Sequence, residues 1–193
     1  MKMIANIAYG RFNPPHIGHE KLFNFGKHLE GEFFICPTFT KNNKTDPLSF
    51  DEKYDIIYQM GFGDYLSNLG KTGIFGIIDS FNSDEYDEIN FIVGGDRCEE
   101  FSSLFKKYQK DYKSKLGVLN FAMRDKYNIS ATEMRDFCKI GDYQSFLKNF
   151  SSRFSPNQAL EVYRKVSVAL QGHVRPPHDK TRSVFFSKNV SEQ

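Results

Sequence analysis

Apolar residues in this chain fall into short, nearly continuous runs, separated by stretches where they recur every three or four positions. Residues 3–9, 33–39, 74–79, 89–93 and 116–123 are such runs, most of them followed by glycine or polar turn residues, and they read as five strands buried on both faces. The intervening stretches read as helices. Leu22, Phe23, Phe25 and Leu29 sit near helical spacing with Gly31 just past the end. Ser49 and Glu52 form a capping-box pattern ahead of Ile56, Ile57 and Met60. Residues 61–73 are broken by glycines and read as a short helix between turns. Phe101, Leu104, Phe105 and Tyr108 mark a further helix, and another opens at Ser130, continues through Phe137 and Ile140 and stops near Gly141. Strand and helix alternating in this way predict an α/β fold: a Rossmann-like doubly wound parallel five-stranded sheet with a C-terminal helical extension. The main domain spans 1–150. A C-terminal helix over 151–172 carries Leu160, Tyr163, Val166 and Leu170 on one face, and 173–193 is a polar tail without periodicity, expected to be flexible or ordered only against a partner.

In a sheet of this type ligands sit beyond the carboxyl ends of the strands. The turn after the first strand reads Gly10-Arg11-Phe12-Asn13-Pro14-Pro15-His16-Ile17-Gly18-His19. Small residues let the backbone approach a ligand, two prolines fix the approach to the helix, and two imidazoles three residues apart share a helix face. That is a phosphate-handling turn. The loop at Asp46-Pro47, the Gly94-Gly95-Asp96-Arg97 turn and the helix start at Ser130-Ala131-Thr132-Glu133-Met134-Arg135 fall at the same edge. Hydroxyls and backbone N–H groups at that helix start suit phosphate oxygens, although Ser130 with Glu133 is also an ordinary capping box.

The remaining properties narrow the field. At 193 residues the chain suits one domain with an appendage. A net charge of +2, from 26 basic and 24 acidic residues, gives no general attraction to nucleic acid or membrane, so anion binding must be local. Cys36, Cys98 and Cys138 are widely separated and suggest neither a disulfide framework nor a zinc motif, which fits a reducing cytoplasm. The start of the chain lacks a signal-peptide core, and no apolar run approaches the roughly 20 residues of a membrane span.

Gly10-x-Phe12-x-Pro14-x-His16-x-Gly18-His19 resembles, position for position, the signature of the HxGH nucleotidyltransferase superfamily. The resemblance implies attack on the α-phosphorus of a nucleoside triphosphate, ATP or CTP carried with Mg²⁺, by the phosphate of a small-molecule acceptor, with release of pyrophosphate. It assigns His16, His19 and Arg135 to catalysis, and Gly10, Arg11, Phe12, Gly18, Gly94, Asp96, Ser130 and Thr132 to nucleotide binding. No protein-held metal is implied. Ile129 to Arg135 resembles the family's Ile-Ser-Ser-Thr-x-x-Arg element with Ala131 for the second serine, and Lys44 to Ser49 resembles its Asn-Pro-Phe/Leu-Ser/Thr loop with Asp46 for asparagine. Arg11 within Gly-Arg-Phe-x-Pro is similar to the archaeal-type nicotinamide mononucleotide adenylyltransferases. Those enzymes commonly stack the pyridine on tryptophan, which this chain lacks, leaving Phe62, Tyr65, Phe75 or Phe81 as substitute platforms. Residues 129–142 and the helix from Ser155 also resemble nucleotidyltransferase-like proteins of large tailed bacteriophages. His16 to His19 is the His-Ile-Gly-His of class I aminoacyl-tRNA synthetases too, but the chain is too short for one and has no Lys-Met-Ser-Lys-Ser. A nucleotide-binding module without catalysis is the alternative of a different class. The pattern leaves assembly into homo-oligomers open.

Overall fold

The computed structural model describes residues 2–82, 85–121 and 129–171. Four strands, β1 (Ile4–Gly10), β2 (Glu32–Pro37), β3 (Glu88–Gly94) and β4 (Lys115–Phe121), form one parallel sheet in the order β2-β1-β3-β4. Ala8 lies opposite Ile35 of β2, Ile7 opposite Phe91 of β3, and Phe91 opposite Val118 of β4. Among the described residues seven α-helices accompany the sheet: α1 (Ile17–Gly26), α2 (Phe50–Ile57), α3 (Gly73–Phe81), α4 (Cys98–Tyr108), α5 (Ala131–Ile140), α6 (Tyr143–Asn149) and α7 (Pro156–Gln171).

The fold class is the expected one, with one correction. Among the described residues the sheet has four strands, because residues 74–79 belong to α3. Their apolar run is helical in period once it is extended by two residues: Ile77, Ile78 and Phe81 are buried on one face with Ile74 packed beside them, while Phe75 and Asp79 face outward. A short run of isoleucine and phenylalanine fits either element.

Alternate residues of each strand feed two cores. On one face Ala8 and Ile92 pack with Phe23 of α1, Ile57 of α2, Met134 of α5, Phe146 of α6 and Val166 of α7. On the other, Ala5, Ile7, Phe91 and Val93 pack with Ile77 and Ile78 of α3 and Phe101 and Phe105 of α4. Between α2 and α3 the chain rounds the open edge of β2, where Leu66 bridges Ile35 and the Ser67 N–H donates to the Ile35 carbonyl at 2.8 Å. That edge is thereby covered. From β1 the chain leads to α1 and β2 on one side, and from β3 to α4 and β4 on the other. The strand order therefore reverses between β1 and β3, whose carboxyl ends part to leave a crevice. Among the described residues no helix is long and apolar enough to cross a membrane.

Candidate active site

The turn leaving β1 lies in that crevice. Phe12 adopts a positive φ of 45°, a region costing a non-glycine residue roughly 1–2 kcal/mol. The conformation turns its ring inward, edge-on to His19 at 5.0 Å and to Phe23 at 5.2 Å between centroids. A side chain at Gly10 would meet the Phe12 ring at 3.0 Å, so this position must stay small. The Asn13–Pro14 peptide is cis. Asn13 is fully buried; its Nδ2 donates to the Leu48 carbonyl at 2.9 Å and its Oδ1 accepts from the Leu48 N–H at 3.0 Å. One amide thus clamps the loop after β2 to the turn after β1.

The sequence reading gave Asn13 no role. The available hint was chemical: a short amide can stand in for a backbone turn partner. Its replacement by alanine leaves two buried backbone groups unpaired, at about 1–3 kcal/mol each. We expect Asn13→Ala to lower the melting temperature by roughly 5–15 °C, readable by calorimetry.

His16 is the N-cap of α1, its Nδ1 accepting from the Gly18 N–H at 3.0 Å. That bond leaves the proton of the neutral ring on Nε2. His19 lies 3.8 Å away, centroid to centroid, and its Nδ1 is shut off from solvent with no partner among the described residues. An unpaired buried acceptor is better tolerated than an unpaired donor, so its proton also belongs on Nε2. Burial keeps both rings neutral: it holds His16 well below the ordinary imidazole value, helped by His19 and Arg135, and takes His19 down to about 3.

Because these values lie below 6.5 in the folded protein, the unfolded chain binds more protons as acid is added. This contribution to stability is complete above about pH 6.5 and is lost as the pH falls toward 3. Melting temperatures should decline over that window, and His19→Gln should flatten the decline.

Across the crevice stands the start of α5. Ser130 is its N-cap in a full capping box: Oγ accepts from the Glu133 N–H at 3.2 Å and the Ser130 N–H donates to Glu133 Oε2 at 2.8 Å. The capping reading holds for this residue, which also lines the cleft. Arg135 is buried, with Nη1 donating to the Asn13 carbonyl at 2.7 Å and Nη2 to Thr132 Oγ1 at 2.9 Å. The second motif therefore grips the backbone of the first. Burial pulls the Arg135 guanidinium below its usual value, with Arg11 adding to the effect and Asp46 opposing it.

A cleft of about 710 Å³ joins these parts. His16, His19 and Arg135 line it, as do Gly10, Arg11 and Phe12. Gly18, Gly94, Ser130 and Thr132 complete the expected set, except for Asp96, whose side chain lies outside the described atoms. The structure adds Arg97 and Tyr9. Among the described residues Arg11, Arg97 and Arg135 bring guanidinium groups to the cleft, and the described lining contains no carboxylate. A chain close to neutral overall has concentrated positive charge at one crevice. Asp46 is not part of the lining; it is buried behind, Oδ2 accepting from Thr40 Oγ1 at 2.7 Å and Oδ1 without a partner among the described residues. The proposed aromatic platforms are elsewhere as well. Phe62 and Phe81 are core residues, Tyr65 packs on Phe33, and Phe75 packs on Tyr108. Among the described residues the phenylalanines and tyrosines that line the cleft are Tyr9, Phe12 and Phe121. His28 is exposed, and His173 and His178 lie outside the described residues.

The profile of the family described as "Cytidylyltransferase-like" matches residues 7–137, which take in both motifs and most of the sheet. The chain belongs to the cytidylyltransferase-like family. Beyond the family match stand α6 and α7. A protein of Acholeplasma laidlawii named "Probable nicotinate-nucleotide adenylyltransferase" is 30% identical over 156 residues, 65% of this chain and 81% of the relative. One of the same name from Fervidobacterium nodosum is 27% identical over 128 residues, 59% of this chain; the match spans only 57% of that relative's length. Among solved structures, Plasmodium falciparum nicotinic acid mononucleotide adenylyltransferase complexed with NaAD superposes with a TM-score of 0.63 at 13% identity, covering 86% of this chain and 97% of that one. This cytidylyltransferase-like chain shares its fold.

Proposed function

We propose that this protein transfers AMP from ATP to the phosphate of a pyridine mononucleotide, releasing pyrophosphate. The observation that carries the reading is the pair of neutral imidazoles, 3.8 Å apart at the start of α1, facing an arginine anchored on the same turn. In the reaction an acceptor phosphate oxygen bonds to the α-phosphorus as the bond from that phosphorus to the oxygen bridging to the β-phosphate breaks. Negative charge builds on the α-phosphate oxygens and on the departing pyrophosphate. Nε2–H of His16 and of His19 would donate to those oxygens, backed by the N–H groups opening α1, while Arg11 and Arg135 would meet the β- and γ-phosphates. The acceptor phosphate is already ionised, so no imidazole has to take its proton. Positioning and charge stabilisation suffice, as phosphoryl-transfer chemistry generally asks. Gly10, Gly18 and Gly94 would allow close backbone approach, with Ser130 and Thr132 on the far bank. Magnesium supplies further charge neutralisation on the triphosphate; guanidinium, imidazole and N–H donors fit an ion carried by triphosphate and water better than one held by protein. The relatives' names support ATP as donor and the nicotinate form of the acceptor.

The test is pyrophosphate release from ATP or CTP with nicotinate mononucleotide, nicotinamide mononucleotide, phosphopantetheine and glycerol-3-phosphate in parallel. ATP with a pyridine mononucleotide should exceed a His16→Ala control by about 100-fold or more. Binding of ATP without turnover on any acceptor would make the protein a nucleotide-binding module instead.

A further inference from the structure

The crevice has two banks, and their cations do different work. On the bank built by α1 and α5, Arg135 is committed to Asn13 and Thr132 beside the imidazoles, with Arg11 close enough to affect it electrostatically. On the other bank, the turn Gly95–Arg97 carries the chain from β3 into α4, which packs on the opposite face of the sheet. Arg97 lines the cleft from there, its side chain 44% exposed. Its guanidinium lies over the Phe101 ring, 4.7 Å from the centroid. Among the described residues its one carboxylate neighbour is Glu100, 3.6 Å from Nε, an exposed contact too long and too solvated to hold it strongly. A guanidinium whose face rests on an aromatic ring keeps its edge N–H groups for a ligand, and that edge matches a planar carboxylate bidentately. Tyr9 lines the same cleft, and its hydroxyl has no hydrogen-bond partner among the described residues. The phosphates have their donors on the first bank. Arg97 is left over.

We propose that Arg97, seated on Phe101 at the cleft, binds the carboxylate on the acceptor's pyridine ring and so selects the acid over the amide. This rests on the pyridine-mononucleotide reading above, which supplies the two acceptors that differ only in that group. The specificity constants kcat/KM for nicotinate mononucleotide and nicotinamide mononucleotide are to be measured in the wild type, Arg97→Gln and Arg97→Lys, with calorimetric binding of a non-hydrolysable ATP analogue alongside. In Arg97→Gln the acid-to-amide ratio should fall by about tenfold or more, through KM for the acid, as loss of a charged hydrogen-bond partner implies. Arg97→Lys, which keeps the charge and loses the fork, should recover part of it, and affinity for the ATP analogue should stay within about twofold. An unchanged ratio in an active enzyme would overturn the assignment. So would equal weakening of both acceptors, which would place Arg97 on their shared phosphate, or weakened binding of the analogue, which would place it on the triphosphate. A wild type that turns over neither acceptor would defeat the functional reading itself, and the selector role with it.

Discussion

His16→Ala is expected to reduce turnover by about 10²–10³-fold, the usual size of the loss when one preorganised donor to a developing oxyanion is removed. The same change removes the N-cap of α1, since His16 Nδ1 accepts from the Gly18 N–H, and should lower stability by about 0.5–2 kcal/mol. A second variant separates the two effects. His16→Asn offers an oxygen that caps as well as any side chain does, so its melting temperature should stay near the wild type while its turnover stays near that of the alanine variant. Activity that returned with the cap would mean that His16 only shapes the helix.

Arg135→Ala is expected to be the other severe change, and to act on two properties at once. From sequence alone the residue reads as a phosphate ligand whose loss harms catalysis more than folding. The structure revises that expectation, because the guanidinium also satisfies the buried carbonyl of Asn13 and the hydroxyl of Thr132. Deleting it should cost a catalytic factor of about 10² or more and about 1–3 kcal/mol of stability. Arg135→Lys can reach one of the two oxygens at a time. It should regain much of the melting temperature and little of the rate, since it lacks the planar fork.

Legibility followed burial on two faces and local pattern. β1, β2, β3 and β4 were readable because a strand covered by helices on both sides is nearly continuous in apolar residues. The same property hid α3: Ile74 to Asp79 is apolar enough for a strand, and its helical period appears only when Phe81 is included. The turn after β1 and the start of α5 stood out because each is a compact run of unusual residues, and the fold brings the two together at one crevice. Asn13 did not, since its partner Leu48 is 35 positions away and nothing local announces the pairing. Arg97 escaped for a related reason: a cation after a glycine turn looks like any solvated arginine until the fold places Phe101 beneath it. The aromatic platforms failed most clearly. With 20 phenylalanines and 10 tyrosines spread along the chain, residue type alone cannot say which rings fill the two cores and which face the cleft.

The central claim is adenylyl transfer to a pyridine mononucleotide, and the most direct measurement follows the label. With ATP radiolabelled at its α-phosphate and nicotinate mononucleotide as acceptor, the label should appear in a dinucleotide in step with unlabelled pyrophosphate, and His16→Ala should suppress both. Label that remains in ATP although ATP binds, or that appears as free AMP irrespective of acceptor, would contradict the account.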